Sequence, residues 1–135
     1  ELASPSAQPA RWAPDIICPE MTKEQIHEII EAFAKTAKLC KDAGVDGVEV
    51  HAVHEGYLLD QFAIEFFNKR TDEYGGSFEN RYRFAAEVVK AIKEGLGVLP
   101  GTIIIPFSSE TKQGRDEIWD LVENNFLIRE EAEVK

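Results

Sequence analysis

The chain predicts an α/β fold, and three features of its 135 residues carry that prediction. Amphipathic stretches at helical spacing alternate with short apolar, β-branched runs, in the order helix, strand, helix, helix, strand, helix. Strands in that order pair most readily in parallel through a right-handed crossover. The third feature is chemical. His51-Ala52-Val53-His54-Glu55-Gly56-Tyr57 follows directly on the apolar Gly47-Val48-Glu49-Val50, which sets two imidazoles and a phenol at the C-terminal end of a predicted strand, where α/β barrels keep their chemistry.

The elements follow in order. Glu1 to Pro19 is rich in Pro, Ser and Ala and reads as a loop of a chain that begins mid-protein. Thr22 with Gln25 matches a capping box, and Ile26, Ile29, Ile30, Phe33, Ala34 and Ala37 recur at the spacing of one buried helix face. Gly44 ends that helix. Gly47 to Ala52 reads as a short strand with Val48 and Val50 on one face and Glu49 and His51 on the other. A helix of about ten residues is expected from Gly56 or Tyr57 with Leu58, Leu59 and Phe62, and the polar, glycine-bearing Asn68 to Ser77 is a loop. The next helix is expected from Phe78 to Glu94, with Phe84, Ala85, Val88, Val89 and Ile92 inward and Gly95 and Gly97 closing it. Gly101 to Phe107 is a second strand candidate, its end turned outward by Pro106, and Asp116 to Val122 a last helix before a charged tail from Glu130.

Charge narrows the partners. With 25 acidic against 15 basic residues the net charge is −10, which argues against a nucleic-acid backbone or an anionic membrane surface, since both need clustered Lys and Arg. No stretch reaches the roughly 20 apolar residues of a membrane span. Cys18 and Cys40 have neither the number nor the spacing of a metal cage or a disulfide framework, so the expected setting is reducing and cytoplasmic. A complete eight-unit barrel needs roughly 250 residues and exceeds this length.

His51 to Phe62, followed by Asn68-Lys69-Arg70-Thr71-Asp72-Glu73-Tyr74-Gly75-Gly76-Ser77-Phe78-Glu79-Asn80-Arg81, resembles the flavin-dependent old yellow enzyme family. The closer likeness is to its branch of 2-enoate and 2,4-dienoyl-CoA reductases and NADH:flavin oxidoreductases. The resemblance implies that residues 1–97 are part of an FMN-binding (β/α)8 TIM barrel. It implies NAD(P)H as reductant and a small enone or enoyl compound as substrate, with reduced FMN supplying a hydride to an activated alkene. His51 and His54 match positions that face the substrate carbonyl oxygen and the nicotinamide, and Tyr57 matches the proton donor. Glu55 is an extra residue before Gly56-Tyr57, as in the enoate-reductase branch. The charged Arg70, Asp72, Glu73, Arg81 and Arg83 read as ties between loop and helix rather than substrate contacts. His27 reads as a solvent-facing bystander and Cys40 as a small buried hydrophobe.

Past residue 97 an arginine-bearing strand is expected beside the flavin, and no arginine lies in Gly101 to Phe107. Residues 98–135 therefore read as a diverged or foreign tail of one strand and one helix, weakly resembling the end of a small ribosome-assembly GTPase of the YihA/YsxC type around Ser108-Ser109-Glu110-Thr111-Lys112-Gln113-Gly114. No phosphate-binding Gly-x-x-x-x-Gly-Lys-Ser/Thr loop accompanies it. The loops expected to hold the FMN phosphate are missing from the sequence, so the 135 residues alone are expected to be an inactive fragment that binds FMN weakly or not at all. The competing readings are a catalytically silent α/β interaction module or fused fragment, and a guanine-binding tail. Helix stripes with too few strands to cover them predict self-association.

Overall fold

Thr22 starts the longest helix as its side chain dictates. The computed structural model places its hydroxyl 3.2 Å from the Gln25 amide, which donates to it, while the Thr22 amide donates to Gln25 Oε1 at 2.9 Å, closing the capping box. Such a cap stabilises a helix by about 1 kcal/mol. Helix α1 then runs Lys23–Asp42 and stops at Ala43, with Gly44 at a φ of +78°. Described are residues 2–52, 54, 56–98 and 103–124. The inserted Glu55, the first two residues of the strand expected at Gly101 to Phe107, and the charged tail from Glu130 lie outside them.

Three further helices are α2 (Leu58–Ala63), α3 (Phe78–Leu96) and α4 (Arg115–Val122). Ser77 caps α3 by accepting from the Asn80 amide, and Gly97 closes it in the left-handed conformation at a φ of +57°. Gly95, expected to help close that helix, lies inside its last turn instead. There a Cβ would run into the backbone carbonyl of Ala34, so the missing side chain is what lets α3 approach α1. Helices α1, α2 and α3 meet over one apolar cluster: Ile26 and Ala37 from α1, Leu59 and Phe62 from α2, and Phe84, Val88 and Ile92 from α3, closed by Met21 and Tyr74. Phe62 and Phe84 pack with ring centroids 4.3 Å apart.

The strands fall elsewhere than expected. Gln8–Ala10 (β1) and Ala13–Cys18 (β2) form an antiparallel hairpin, with Pro9 opposite Ile17 and a register irregularity between Pro9 and Ala10, inside the segment read as a loop. A two-stranded ribbon has only edges, so Pro9 and Pro14 forgo an amide donor without breaking a central ladder. Neither Gly47 to Ala52 nor residues 103–107 is in a strand. The hairpin is the sheet found among the described residues, which add an isolated parallel bridge between Ser4 and Glu20 and hold no closed barrel. The physical reason is that a strand is defined by its neighbour: apolar β-branched runs without a paired edge have no ladder to join. Val50 still packs against the core, while Val48 stays partly exposed.

The chain divides into two units, residues 1–98 and 99–135. In the second, Gly114 precedes α4 at a φ of +73°, and none of the residues of α4 is buried. An open cleft of about 570 Å³ there is lined by Ile103, Ile104, Ile105 and Pro106 facing Glu117 and Asp120. Lys112 donates to the Ser109 carbonyl oxygen at 2.7 Å, folding the intervening loop on itself.

Candidate active site

The three side chains singled out from the sequence come together. Ring centroids of His51 and His54 are 5.5 Å apart, those of His51 and Tyr57 5.6 Å, and those of His54 and Tyr57 5.1 Å with the planes 19° from parallel. All three residues are exposed, Tyr57 by 52%. They form one solvent-facing group rather than part of the apolar interior. No hydrogen bond joins either imidazole or the phenol to another described residue.

The backbone beneath that group is held by residues that the sequence reading passed over. Asp60, in the first turn of α2, is 3% exposed. Its Oδ2 accepts from the backbone N–H groups of His54 at 3.0 Å and Gly56 at 2.9 Å. Its Oδ1 is buried without a partner among the described residues. Gln61 donates from its side-chain amide to the Gly56 carbonyl and accepts, at 3.5 Å, from Gln8 of the hairpin. Gly56 has a φ of +98°, and the ring of Phe67 lies 3.3 Å from where a Cβ would sit. The available signal was an acid between Leu59 and Phe62, two residues that a short amphipathic helix must bury.

The charged residues read as structural ties do that work, mostly through backbone carbonyls. The buried Arg70 donates to the carbonyl oxygens of Pro5 at 2.9 Å and Met21 at 2.7 Å, and to Asp72 Oδ2 at 2.6 Å. The hydrogen bond from Arg70 holds the Asp72 carboxyl below its ordinary range, and Asp72 in turn raises the guanidinium. Arg81 donates to the carbonyls of Ala63 and Gly76, Arg83 to that of Glu73, and Glu73 pairs with Lys23 at 2.6 Å. His27 is not the bystander expected. Its Nε2 lies 3.2 Å from the Tyr74 hydroxyl, which donates to Glu87 at 2.9 Å. Burial and the Glu87 hydrogen bond push the Tyr74 phenol up to about 12.

Among the described residues no group of His, Cys, Asp and Glu is arranged to hold a metal ion, Cys18 and Cys40 are free thiols, and no helix is long and apolar enough to cross a membrane.

Comparison with known proteins identifies the family. The model of the NADH:flavin oxidoreductase / NADH oxidase family matches residues 2–134, taking in the segment past residue 97 as well. A cinnamate reductase of Clostridium sporogenes is 61% identical over 94 residues, covering 70% of this chain and 14% of the relative. An NADPH dehydrogenase of Bacillus velezensis is 48% identical over 99 residues, 72% of this chain and 28% of the relative. Among solved structures, morphinone reductase in complex with tetrahydroNAD superposes with a TM-score of 0.64 at 38% identity, over 70% of this chain and 30% of that one. A 2-naphthoyl-CoA reductase in complex with 2-naphthoyl-CoA gives the same TM-score of 0.64 at 42% identity, over 70% of this chain and 14% of that one. The chain thus spans less than a third of the length of these relatives. With a family model covering nearly all of its residues, it belongs to the NADH:flavin oxidoreductase / NADH oxidase family, a family of flavin-dependent oxidoreductases.

Proposed function

We propose that this chain forms the carbonyl-facing part of an FMN-dependent NAD(P)H oxidoreductase of the enoate-reductase type, one that reduces the activated C=C bond of α,β-unsaturated carbonyl compounds. The observation that carries the reading is the exposed cluster of His51, His54 and Tyr57, with neighbouring rings 5.1 to 5.6 Å apart. Two imidazoles and a phenol are hydrogen-bond donors suited to a carbonyl oxygen, and this donor chemistry fits the substrate side of a flavin site. Residues 1–97 are read as a piece of the FMN-binding barrel and 98–135 as a diverged tail whose described part holds the helix α4 and no strand.

The chemistry that bound FMN supplies is a hydride, drawn from NAD(P)H, for the β-carbon of the alkene. His51 and His54 orient the carbonyl and donate to its oxygen, where negative charge accumulates as the hydride arrives. A donor of this kind contributes about 2.7–4 kcal/mol to the barrier reduction. The Tyr57 hydroxyl then delivers a proton to the α-carbon. Names of relatives support the substrate class: a cinnamate reductase and an enoate reductase are among them.

The test uses the full-length, flavin-loaded protein containing this chain. The H51A/H54A variant is expected to keep FMN and to lose alkene reduction by about 100-fold or more. Undiminished turnover of trans-cinnamate and 2-cyclohexenone would overturn the reading. The 135 residues alone are expected to bind FMN weakly, because the ring cluster and large apolar groups such as Phe66 at 78% and Trp12 at 87% exposure stand uncovered. Flavin fluorescence quenched at low micromolar concentration would contradict that.

Those same apolar groups favour a competing reading, a non-catalytic assembly module that self-associates in a cytoplasmic setting. A variant of the two histidines with unchanged turnover would support it. The likeness of residues 101–119 to the guanine loop of a GTPase rests on sequence alone, and a nucleotide titration with no preference for GDP removes it.

A further inference from the structure

We propose that Asp60, assisted by Gln61, is the positioning residue of this site: a buried carboxylate that fixes the loop bearing His54 and Tyr57 so that both rings stay free for substrate. The proposal rests on the functional reading above. The rings have no hydrogen bond to another described residue, so their placement is inherited from the backbone that carries them. That backbone is held from α2. Asp60 Oδ2 takes the N–H groups of His54 and Gly56 at 3.0 and 2.9 Å, and Gln61 donates to the Gly56 carbonyl, so the Gly56 residue is gripped at both its amide and its carbonyl.

Burying an acid that is 3% exposed, with Oδ1 lacking any partner among the described residues, is unfavourable for folding by itself. The two amides it receives are what the burial achieves. They flank residue 55 and lie immediately ahead of Tyr57, so one oxygen sets both sides of the His54–Tyr57 stack, whose centroids are 5.1 Å apart. A short α2 with a buried face, Leu59 and Phe62, anchors the carboxylate to the core.

The experiment is amide hydrogen exchange on the full-length flavin-loaded protein without substrate, followed by kinetics with trans-cinnamate and 2-cyclohexenone. In the wild type the His54 and Gly56 amides are expected to exchange at least about tenfold more slowly than unprotected backbone. D60A is expected to accelerate both by about tenfold and to lower kcat by a similar factor, with FMN affinity within about twofold. D60N is expected to restore both, since the amide oxygen can accept the same two N–H groups. Unprotected amides in the wild type, unchanged exchange in D60A, unchanged kcat despite faster exchange, or failure of D60N to rescue would each overturn the proposal. Should D60A not fold, the wild-type and D60N measurements decide. Turnover persisting in H51A/H54A would instead sink the functional reading, and the substrate-free exchange would still judge the clamp.

Discussion

Two loops flank α2, and they use their polar side chains in opposite ways. In Asn68 to Ser77 the side chains are engaged in holding backbone. Asn68 donates to the carbonyls of Phe62 and Tyr74, Arg70 reaches Pro5 and Met21, and Asp72 receives both Arg70 and the Tyr74 amide. In the loop ahead of α2 the side chains of His51, His54 and Tyr57 are exposed and make no hydrogen bond to another described residue, and the holding is done by Asp60 and Gln61 of the neighbouring helix. On the proposed function this loop offers its donors to a substrate, and such a loop cannot use those donors on itself. Its order has to be supplied from outside, and the sequence cost is a buried acid in a helix that would otherwise be apolar on that face.

The contrast can be broken from either side. R70A should have the largest effect, a loss of about 3–5 kcal/mol in urea denaturation, because it strands a partly buried carboxylate and two carbonyls. Amide protection at His54 and Gly56 should persist in that variant under native conditions, since among the described residues no hydrogen bond links Arg70 to the first loop. G56A comes next. A side chain at a φ of +98°, against the Phe67 ring at 3.3 Å, should cost about 1–2 kcal/mol and disturb the ring cluster, read as altered imidazole NMR shifts of His51 and His54. Y74F should cost about 1 kcal/mol by thermal denaturation and leave those shifts in place, because it removes only the hydroxyl that joins His27 to Glu87.

The smallest effect concerns acid. Asp72 is held below its ordinary range by the Arg70 hydrogen bond, so its folded value lies under the unfolded one near about 3.9. Its stabilisation is therefore complete above about pH 4 and is lost as pH falls through the folded value. D72N should flatten the acid limb of a stability–pH curve, and an unchanged limb would show that the Arg70–Asp72 pair does not contribute there.

Helices were legible because their bonds and caps are local. Thr22 with Gln25, the three-and-four spacing of Ile26 to Ala37, and Gly97 predicted α1 and α3 to within a few residues. The clustering of His51, His54 and Tyr57 was legible for a similar reason, since they lie within seven positions and cannot be far apart in space. Strands were not, because pairing depends on which edge is present: the prolines of β1 and β2 hid a hairpin, and two apolar runs show no strand partner among the described residues. His27 is exposed as expected, but its partner Tyr74 was not legible because it lies 47 positions away.

By itself, then, the sequence determined α1 and α3, the closeness of the three rings and the family signatures, all of which depend on neighbours a few residues apart, whereas α2, expected to run about ten residues, stops after Leu58–Ala63. Only the tertiary structure decided that Gly95 is a contact surface for Ala34, that Arg70 is buried against the Pro5 and Met21 carbonyls, and that Asp60 reaches back to two amides of the site loop. Those outcomes are set by desolvation and by backbone groups that must find partners in space, and neither is written in the order of the residues.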